Sequence, residues 1–308
     1  IAVEVAYVGN KGTHVFRNEA PDYGLNDATL EGFPDLSYTQ RRPYYQAYGW
    51  SQGLNYYGAD ANNRYNSLQA KVEKRFAGDY SILAHYTFQS AKNYGWDYYN
   101  INRSVDWGRN DFYATHVLVV NNMWELPFGR GKTYLNDASR ALDLLVGGWQ
   151  FNQVTSVQSG LPFSVNYWAH CGGDRDTGPC RPDMVREPFM PRSQQLWFEV
   201  GAVTADWPNG ATSGPWRRPE VGQFGNTPRN SLTGPSFFNT DFSLFKNFSI
   251  TERFRGEFRA EAFNLFNMVN LGNPDTCIDC NLETAGRIFG LRSGSQMRRF
   301  QFAIKFKW

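Results

Sequence analysis

Arg299-Phe-Gln-Phe-Ala-Ile-Lys-Phe-Lys-Trp308 is the stretch of sequence that decides the fold. Every second residue is large and apolar, so one face of the predicted β-strand carries Phe300, Phe302, Ile304, Phe306 and Trp308. The residues between them, from Arg299 to Lys307, are mostly polar and point the other way. Chain termini usually fray, so a strand that ends on tryptophan is unusual in a soluble protein. It is typical of a closed sheet, in which the last strand pairs with the first.

The same period of two recurs in earlier segments, of which 65–76, 80–89 and 253–263 are the clearest. Each has one apolar face and one face that must meet water. The water-facing positions include Lys71, Glu73, His85, Arg255, Glu257, Arg259 and Glu261. With the weaker patterns at 1–8, 116–126, 149–165 and 238–244, the sequence predicts about eight strands.

Composition excludes several classes of protein. The chain has 308 residues, a net charge of +2 and 17% aromatic residues, with 29 glycines. The charge balance disfavours a nucleic-acid-binding scaffold, and no uncharged stretch is apolar enough to insert as a membrane helix. Aromatic and glycine content of this kind favours strands and turns over a helical bundle.

The connections between the predicted strands alternate in length. Short links at 77–79 and 249–252 separate long segments at 18–64, 91–113, 167–235 and 267–297. All the long segments therefore fall at one end of the sheet, although the link 128–146 belongs to the other end and is not short. Compact soluble domains seldom carry several loops of this length, although a soluble β-sandwich would also alternate.

These patterns together predict an all-β fold, a transmembrane antiparallel β-barrel with long extracellular loops. A lysine or arginine on the lipid face at mid-bilayer costs about 2–4 kcal/mol, so the charged face is expected to line a water-filled lumen. Eight strands are few for loops so large, and we expect them to belong to a bigger barrel. The cell outer membrane is the expected location, with outer-membrane lipid as a partner and no nucleic-acid partner.

Several motifs, taken in order, resemble one family. They are YNSLQAKVEKRF at 65–76, ELPFGRG at 125–131, GGWQ at 147–150, QSGLPF at 158–163, FGN at 224–226 with Arg229-Asn230, DFSLFKN at 241–247, RAEAFNLFN at 259–267, and the terminal Trp308. In this order they are similar to the C-terminal barrel of Oar-like TonB-dependent outer-membrane receptors. The likeness runs over essentially the whole chain.

The resemblance implies more than the residues alone do. Such receptors have a barrel of generally 22 strands and an N-terminal plug, so residues 1–308 would be the C-terminal part of the barrel without the plug. It further implies energy-coupled uptake of a bulky solute, such as a siderophore, oligosaccharide or peptide. The implied partners are the TonB complex, through the missing N-terminal part, and the barrel-assembly machinery, through the C-terminal strand. The alternative is an outer-membrane adhesion or surface-assembly barrel without transport.

The four cysteines lie in two of the long segments. In an oxidising envelope we expect local disulfides, Cys171–Cys180 and Cys277–Cys280. Four cysteines allow three connectivities, so cross-bridging of the two loops stays open as the alternative. A zinc site would need paired CxxC spacing, which only the second pair has. Asp174 and Asp176 alone do not make a calcium site. We predict no metal and no cofactor.

No catalytic constellation is present in the sequence, and the protein is not expected to be an enzyme. The alternating charges at 255–261 are better explained as salt-bridged lumen lining than as a catalytic carboxylate pair. Two aromatic clusters in the long segments are candidate ligand-binding surfaces, Trp96, Tyr98, Tyr99 and Trp107 in one, and Tyr44, Tyr45 and Trp50 in the other. The alternative is that these rings pack the loops together or sit in the interfacial girdle.

Overall fold

The structure is a computed structural model. It describes residues 1–17, 24–54, 58–95, 102–168, 171, 178–201, 214–249, 251 and 254–307. Within these ranges, no helix has the length and apolar character needed to cross a membrane.

One antiparallel sheet of nine strands dominates the described chain. Its strands are β1 (Ala2–Arg17), β2 (Gly58–Ala77), β3 (Tyr80–Tyr94), β4 (Trp107–Arg109), β5 (His116–Glu125), β6 (Trp149–Gln158), β11 (Phe237–Ser249), β12 (Arg255–Phe263) and β13 (Arg299–Lys307). Eight of them lie side by side in chain order, and the short β4 pairs with the end of β3. The all-β prediction and the expected number of long strands are confirmed. Within the part of the chain described, β1 and β13 each leave one edge unpaired, so the sheet is open.

The register keeps the two faces separate across the whole sheet, because directly opposed residues point to the same side. One lateral row of opposed partners crosses six strands and contains Phe302, Ala260, Leu244, Phe151, Trp124 and Tyr80. The row beside it on the other face is largely polar and contains Gln301, Glu261, Ser243, Asn152, Met123 and Ser81.

The apolar face is not the inside of a sandwich. Phe302 is 69% exposed and Phe306 is 48% exposed, and strand β13 is exposed along its described length. In a β-sandwich these side chains would be buried against a second sheet. The soluble alternative is therefore excluded for this face.

Short turns join the strands at one end of the sheet. Gly78 and Asp79 both have positive φ, 64° and 66°, and form a tight two-residue hairpin turn between β2 and β3. The link between β5 and β6 is longer, as expected, and contains helix α2 (Arg140–Val146). Lys132 in this link contacts the carboxylates of Asp79 at 2.7 Å and Glu125 at 2.9 Å, which ties the two connections together.

The other end carries the four connections that were predicted to be long, between β1 and β2, β3 and β5, β6 and β11, and β12 and β13. They contain helix α1 (Pro43–Tyr48), a 3₁₀ turn (Arg103–Asp106), and two-residue strands that pair as β7 (Pro162–Phe163) with β10 (Leu232–Thr233) and as β8 (Asp183–Met184) with β9 (Trp216–Arg217). The prediction of one strand over 149–165 is wrong, since β6 ends at Gln158. Gly160 there packs against the backbone of Gly234, and a continuing strand would not allow this approach.

Candidate functional site

The polar face of the sheet is a ladder of mostly compensated charges. Lys71 Nζ lies 2.9 Å from Glu73 and 3.7 Å from Glu4 on the adjacent strand. Arg75 contacts the other side of the Glu73 carboxylate at 3.1 Å. His85 is directly opposite Lys71 on β3. In this part of the face, acidic and basic side chains therefore pair with one another along β2 and across to β1.

The second predicted charge ladder lies on strand β12 and is paired only in part. Arg259 contacts Glu257 at 2.9 Å and stacks over the ring of Phe245, 4.7 Å from its centroid. Glu261 accepts a hydrogen bond from Ser243 at 3.4 Å. Arg255 stands opposite Lys307, so two cations meet at this end of the polar face. All seven polar residues predicted for the water-facing side lie on this one face.

The main buried cluster of the described chain lies in the loops rather than under the sheet. It is built from residues of two long connections, Phe163, Val165, Tyr167, Cys171, Trp197, Phe198, Trp216, Leu232, Ile278 and Ile288. The indole nitrogen of Trp216 donates to the Glu199 carbonyl at 2.8 Å. The indole nitrogen of Trp197 donates to the Thr233 carbonyl at 2.9 Å. The long loops are thus a packed cap, which alternation in the sequence could not reveal.

Buried ion pairs join this cap to the connection between β3 and β5. Arg181 and Asp106 are 3% and 0% exposed and contact at 3.2 Å. Arg229 is also buried and pairs with Asp111, while its guanidinium donates to the Asn93 carbonyl at 3.1 Å. A Cβ at Gly95 would collide with Arg229, so the absence of a side chain there permits the close approach. Arg229 lies within a motif shared with Oar-like receptors, but neither arginine was predicted to be buried or paired.

A more exposed ion pair fixes a surface segment of the cap. The two terminal guanidinium nitrogens of Arg186 each donate to one carboxylate oxygen of Glu199, at 2.6 and 2.8 Å. The amide of Phe189 donates to the same carboxylate at 3.0 Å. The Arg186 guanidinium, followed by this amide, holds the pKa of Glu199 below its usual range.

The aromatic cluster around α1 is accessible. Tyr45 is 37% exposed and Trp50 is 51% exposed, while Tyr44 is half-buried and stacks near Tyr48. The Asn26 side chain is buried and fixes the segment, since it donates to the Trp50 carbonyl at 3.1 Å and accepts from the Tyr44 amide at 2.8 Å. This cluster is therefore an anchored, partly open aromatic surface.

The second aromatic cluster is represented by Trp107 alone, because Trp96, Tyr98 and Tyr99 lie outside the described residues. Trp107 packs edge-on against Tyr94, with ring centroids 5.1 Å apart, and is half-buried. Its ring therefore packs the loop against strand β3. Loop packing was the alternative to ligand binding in the sequence-based prediction for these rings.

Both predicted disulfides are present, Cys171–Cys180 and Cys277–Cys280, and no cysteine is free. The two bridges lie near one another, since the Ile278 amide donates to the Asn166 carbonyl and the Tyr167 amide to the Cys180 carbonyl. Cys277, Asp279 and Cys280 are close enough for a metal site, but both thiols are used in the bridge. Asp174 and Asp176 lie outside the described residues, as does Trp308 at the end of β13.

Comparisons with known proteins agree with this architecture. A family model described as an outer membrane beta barrel domain matches residues 1–301. No curated protein and no solved structure matches the chain. The matched range covers all of the sheet except the last residues of β13. The chain therefore belongs to the outer membrane beta barrel domain family, and it is an outer-membrane protein.

Proposed function

We propose that the chain forms part of the wall of a TonB-dependent outer-membrane transporter that takes up a bulky solute. The observation that carries the proposal is the open eight-strand run with one apolar and one charged face. Unpaired backbone groups are costly in lipid, so the two free edges of the described sheet have to be paired, and we propose that further strands pair with them. An eight-stranded barrel is filled by side chains, whereas a barrel of about 16 strands or more encloses an aqueous lumen.

In this account the apolar face meets lipid and the polar face lines the lumen. Lys71, Glu73, His85, Arg255, Glu257, Arg259 and Glu261 are then lumen residues. The packed loop cap is on the outside of the cell, and the short turns face the periplasm. We further propose that residues 1–308 are the C-terminal part of a barrel of about 22 strands, an expectation that comes from the resemblance to Oar-like receptors.

The aromatic surface around α1 is the best candidate for first contact with a solute. Tyr45 and Trp50 present ring faces that stack on sugars, on siderophore rings or on peptide side chains. Their backbone is already fixed by Asn26, so binding would order little additional chain. The protein is proposed to act by binding and conduction, without catalysis or a cofactor. TonB and the barrel-assembly machinery are its proposed protein partners.

Uptake in intact cells tests the transport proposal. Cells with and without the gene are given radiolabelled ferric siderophores, maltooligosaccharides and oligopeptides, with and without a protonophore. We expect one class of probe to accumulate only when both the protein and the proton-motive force are present. Accumulation that is unaffected by deletion of the gene, for every class, would overturn the proposal.

A barrel for adhesion or surface assembly is the second candidate, and one observation favours it. The loop cap is tightly packed yet presents large apolar side chains at its surface, with Trp168 76%, Phe189 69% and Phe289 69% exposed. Covering these exposed side chains with a protein partner would remove apolar surface from water. Loss of cell–cell cohesion on deletion, with unchanged uptake of all probes, would support this candidate over transport.

A further inference from the structure

Four basic residues lie side by side near the loop end of the sheet, one on each of strands β1 to β4. Lys11 is opposite Arg64, which in turn is opposite Lys92. Lys92 is also opposite Arg109. Because opposed residues share a face and neighbouring strands are about 4.8 Å apart, the four form a lateral row about 14 Å long. We call Lys11, Arg64, Lys92 and Arg109 the cation row.

The cation row lies on the apolar face of the wall. Tyr7, Leu68 and Phe88 are opposed to one another and form the nearest large apolar row. On each of β1, β2 and β3 the cation is four residues further toward the loops, which is about 13 Å along a strand and about 10 Å of height at the usual tilt. The cation row therefore lies beyond the apolar band.

The height of the band supports a position in the headgroup layer. Phe88 is eight residues from Tyr80, which lies on the same face at the short-turn end of β3. This separation is about 27 Å along the strand and about 21 Å of height. Apolar bands of outer-membrane barrels are about 25 Å tall, so Lys92 lies level with lipid headgroups. Because the strands are tilted, a lateral row changes height by about 3 Å per strand, and the other three cations lie within about 7 Å of the height of Lys92.

The cation row lacks the acidic partners found on the other face. In the described ranges, no carboxylate is within ion-pair distance of Lys11, Arg64 or Lys92, and all three side chains are exposed. Lys71, on the polar face of the same strand as Arg64, contacts two glutamates. Like charges on opposed positions repel, so an uncompensated row of this kind is arranged for an external anion.

One end of the cation row is fixed by the loop cap. The Arg109 guanidinium donates to the Asn230 carbonyl at 3.3 Å and to Thr233 Oγ1 at 3.1 Å. A cleft of about 330 Å³ at this end is lined by residues that include Lys92, Trp107 and Arg109. The Ser231 hydroxyl in its lining is buried, and the described chain offers it no hydrogen-bond partner. The lining also includes Glu187, so the cleft adds an aromatic ring, a hydroxyl and one carboxylate to the cations.

We propose that the cation row binds the phosphate groups of lipid A, the phosphorylated glycolipid of the outer leaflet. Basic side chains at the headgroup level attract anionic lipids, and their N–H groups form strong charge-assisted bonds to phosphate. The ring of Trp107 and the Ser231 hydroxyl provide the contacts that a sugar headgroup requires. The inference rests on the proposed orientation, with the long loops outside, but not on transport. A barrel without uptake activity would still bind the lipid.

The test compares the intact protein with a K11Q/R64Q/K92Q variant. Arg109 is left in place because it also holds the loop cap. Binding of bisphosphorylated lipid A in detergent micelles is titrated by native mass spectrometry. We expect binding about a hundredfold weaker in the variant, since each basic residue near a charged lipid surface contributes about fivefold. The matched control is K305Q/K307Q, which removes two exposed cations from the polar face at the other end of the wall and should bind normally.

Three further probes identify the ligand. Dephosphorylated lipid A and inorganic phosphate should bind the unaltered protein much more weakly than bisphosphorylated lipid A. Phosphatidylglycerol, which carries one phosphate, should bind the unaltered protein more weakly than lipid A does, and it should lose less affinity than lipid A in the K11Q/R64Q/K92Q variant. Equal lipid A binding by variant and unaltered protein, or tighter binding of phosphatidylglycerol than of lipid A, would overturn the proposal. Heat-modifiable gel mobility establishes that each variant is folded, and K92Q alone, with an expected loss of about fivefold, replaces the triple variant if that does not fold.

Discussion

Replacing Ala260 with arginine places a charge in the middle of the apolar face. Ala260 is central among the apolar-face positions of β12 and is opposed by Leu244 on one side and Phe302 on the other. It is partly exposed, so a longer side chain would extend away from the sheet rather than into a core. If that face meets lipid, the guanidinium is forced into hydrocarbon.

The expected loss of folding free energy depends on how deep residue 260 lies in the bilayer. A basic residue at the bilayer midplane of an outer-membrane barrel destabilises it by about 2–4 kcal/mol. This corresponds to a reduction of about 30- to 700-fold in the folding equilibrium constant. Gln301 on the neighbouring polar face is opposed by Glu261, so Gln301→Arg creates a cross-strand ion pair worth about 0–1 kcal/mol. The two substitutions add the same charge at nearly the same height.

The assay is equilibrium unfolding of the intact protein in phospholipid vesicles, followed by tryptophan fluorescence over a guanidinium gradient. Ala260→Met controls for side-chain length without charge and should cost less than about 1 kcal/mol. The reasoning would be refuted if A260R were as stable as A260M, or if Q301R lost as much stability as A260R.

Three further outcomes are expected. Arg229→Ala should leave the partly buried Asp111 without its ion-pair partner, while the buried Asp106 keeps Arg181, at a local cost of about 1.5–3 kcal/mol, and it should speed hydrogen exchange in residues 102–113. Unchanged exchange there would contradict the network described for the cap. The Arg186–Glu199 pair should make the cap sensitive to acid. Because the folded-state pKa of Glu199 is lowered, its stabilisation is complete above the unfolded value, about 4.3, and is lost as the pH falls through the folded value. Tryptophan fluorescence should therefore change in this acidic range in the unaltered protein and not in E199Q, and identical titrations would refute the assignment. Peptide mapping without reduction should find Cys171 joined to Cys180 and Cys277 joined to Cys280, and any peptide that bridges the two loops would contradict it.

The sheet was predictable because one of its faces is apolar and the other is polar, which produces a period of two in the sequence. Alternation at Arg255–Phe263 and Arg299–Lys307 reproduces the observed strands to within two residues. Strand lengths were underestimated, since β2 begins at Gly58 and β3 continues to Tyr94. Above the apolar band both faces are polar, so the period of two disappears from the sequence while the ladder of backbone hydrogen bonds continues.

The loop cap was not predictable in the same way. Trp197, Phe198 and Trp216 are buried in irregular chain, where no period relates one buried position to the next. Arg181 and Arg229 look like solvent-exposed cations until the fold brings Asp106 and Asp111 to them. The cation row shows the same limit, because Lys11, Arg64 and Lys92 become neighbours only through strand register.

Site-directed spin labelling tests the orientation of the wall most directly. Single cysteines at 258–262 and 300–304 carry a nitroxide, and collisions with oxygen, which partitions into lipid, are compared with collisions with a water-soluble nickel chelate. The account predicts a period of two, with oxygen favoured at Phe258, Ala260, Phe302 and Ile304, and nickel favoured at Arg259, Glu261, Gln301 and Ala303. An inverted phase, or equal accessibility on both faces, would contradict it.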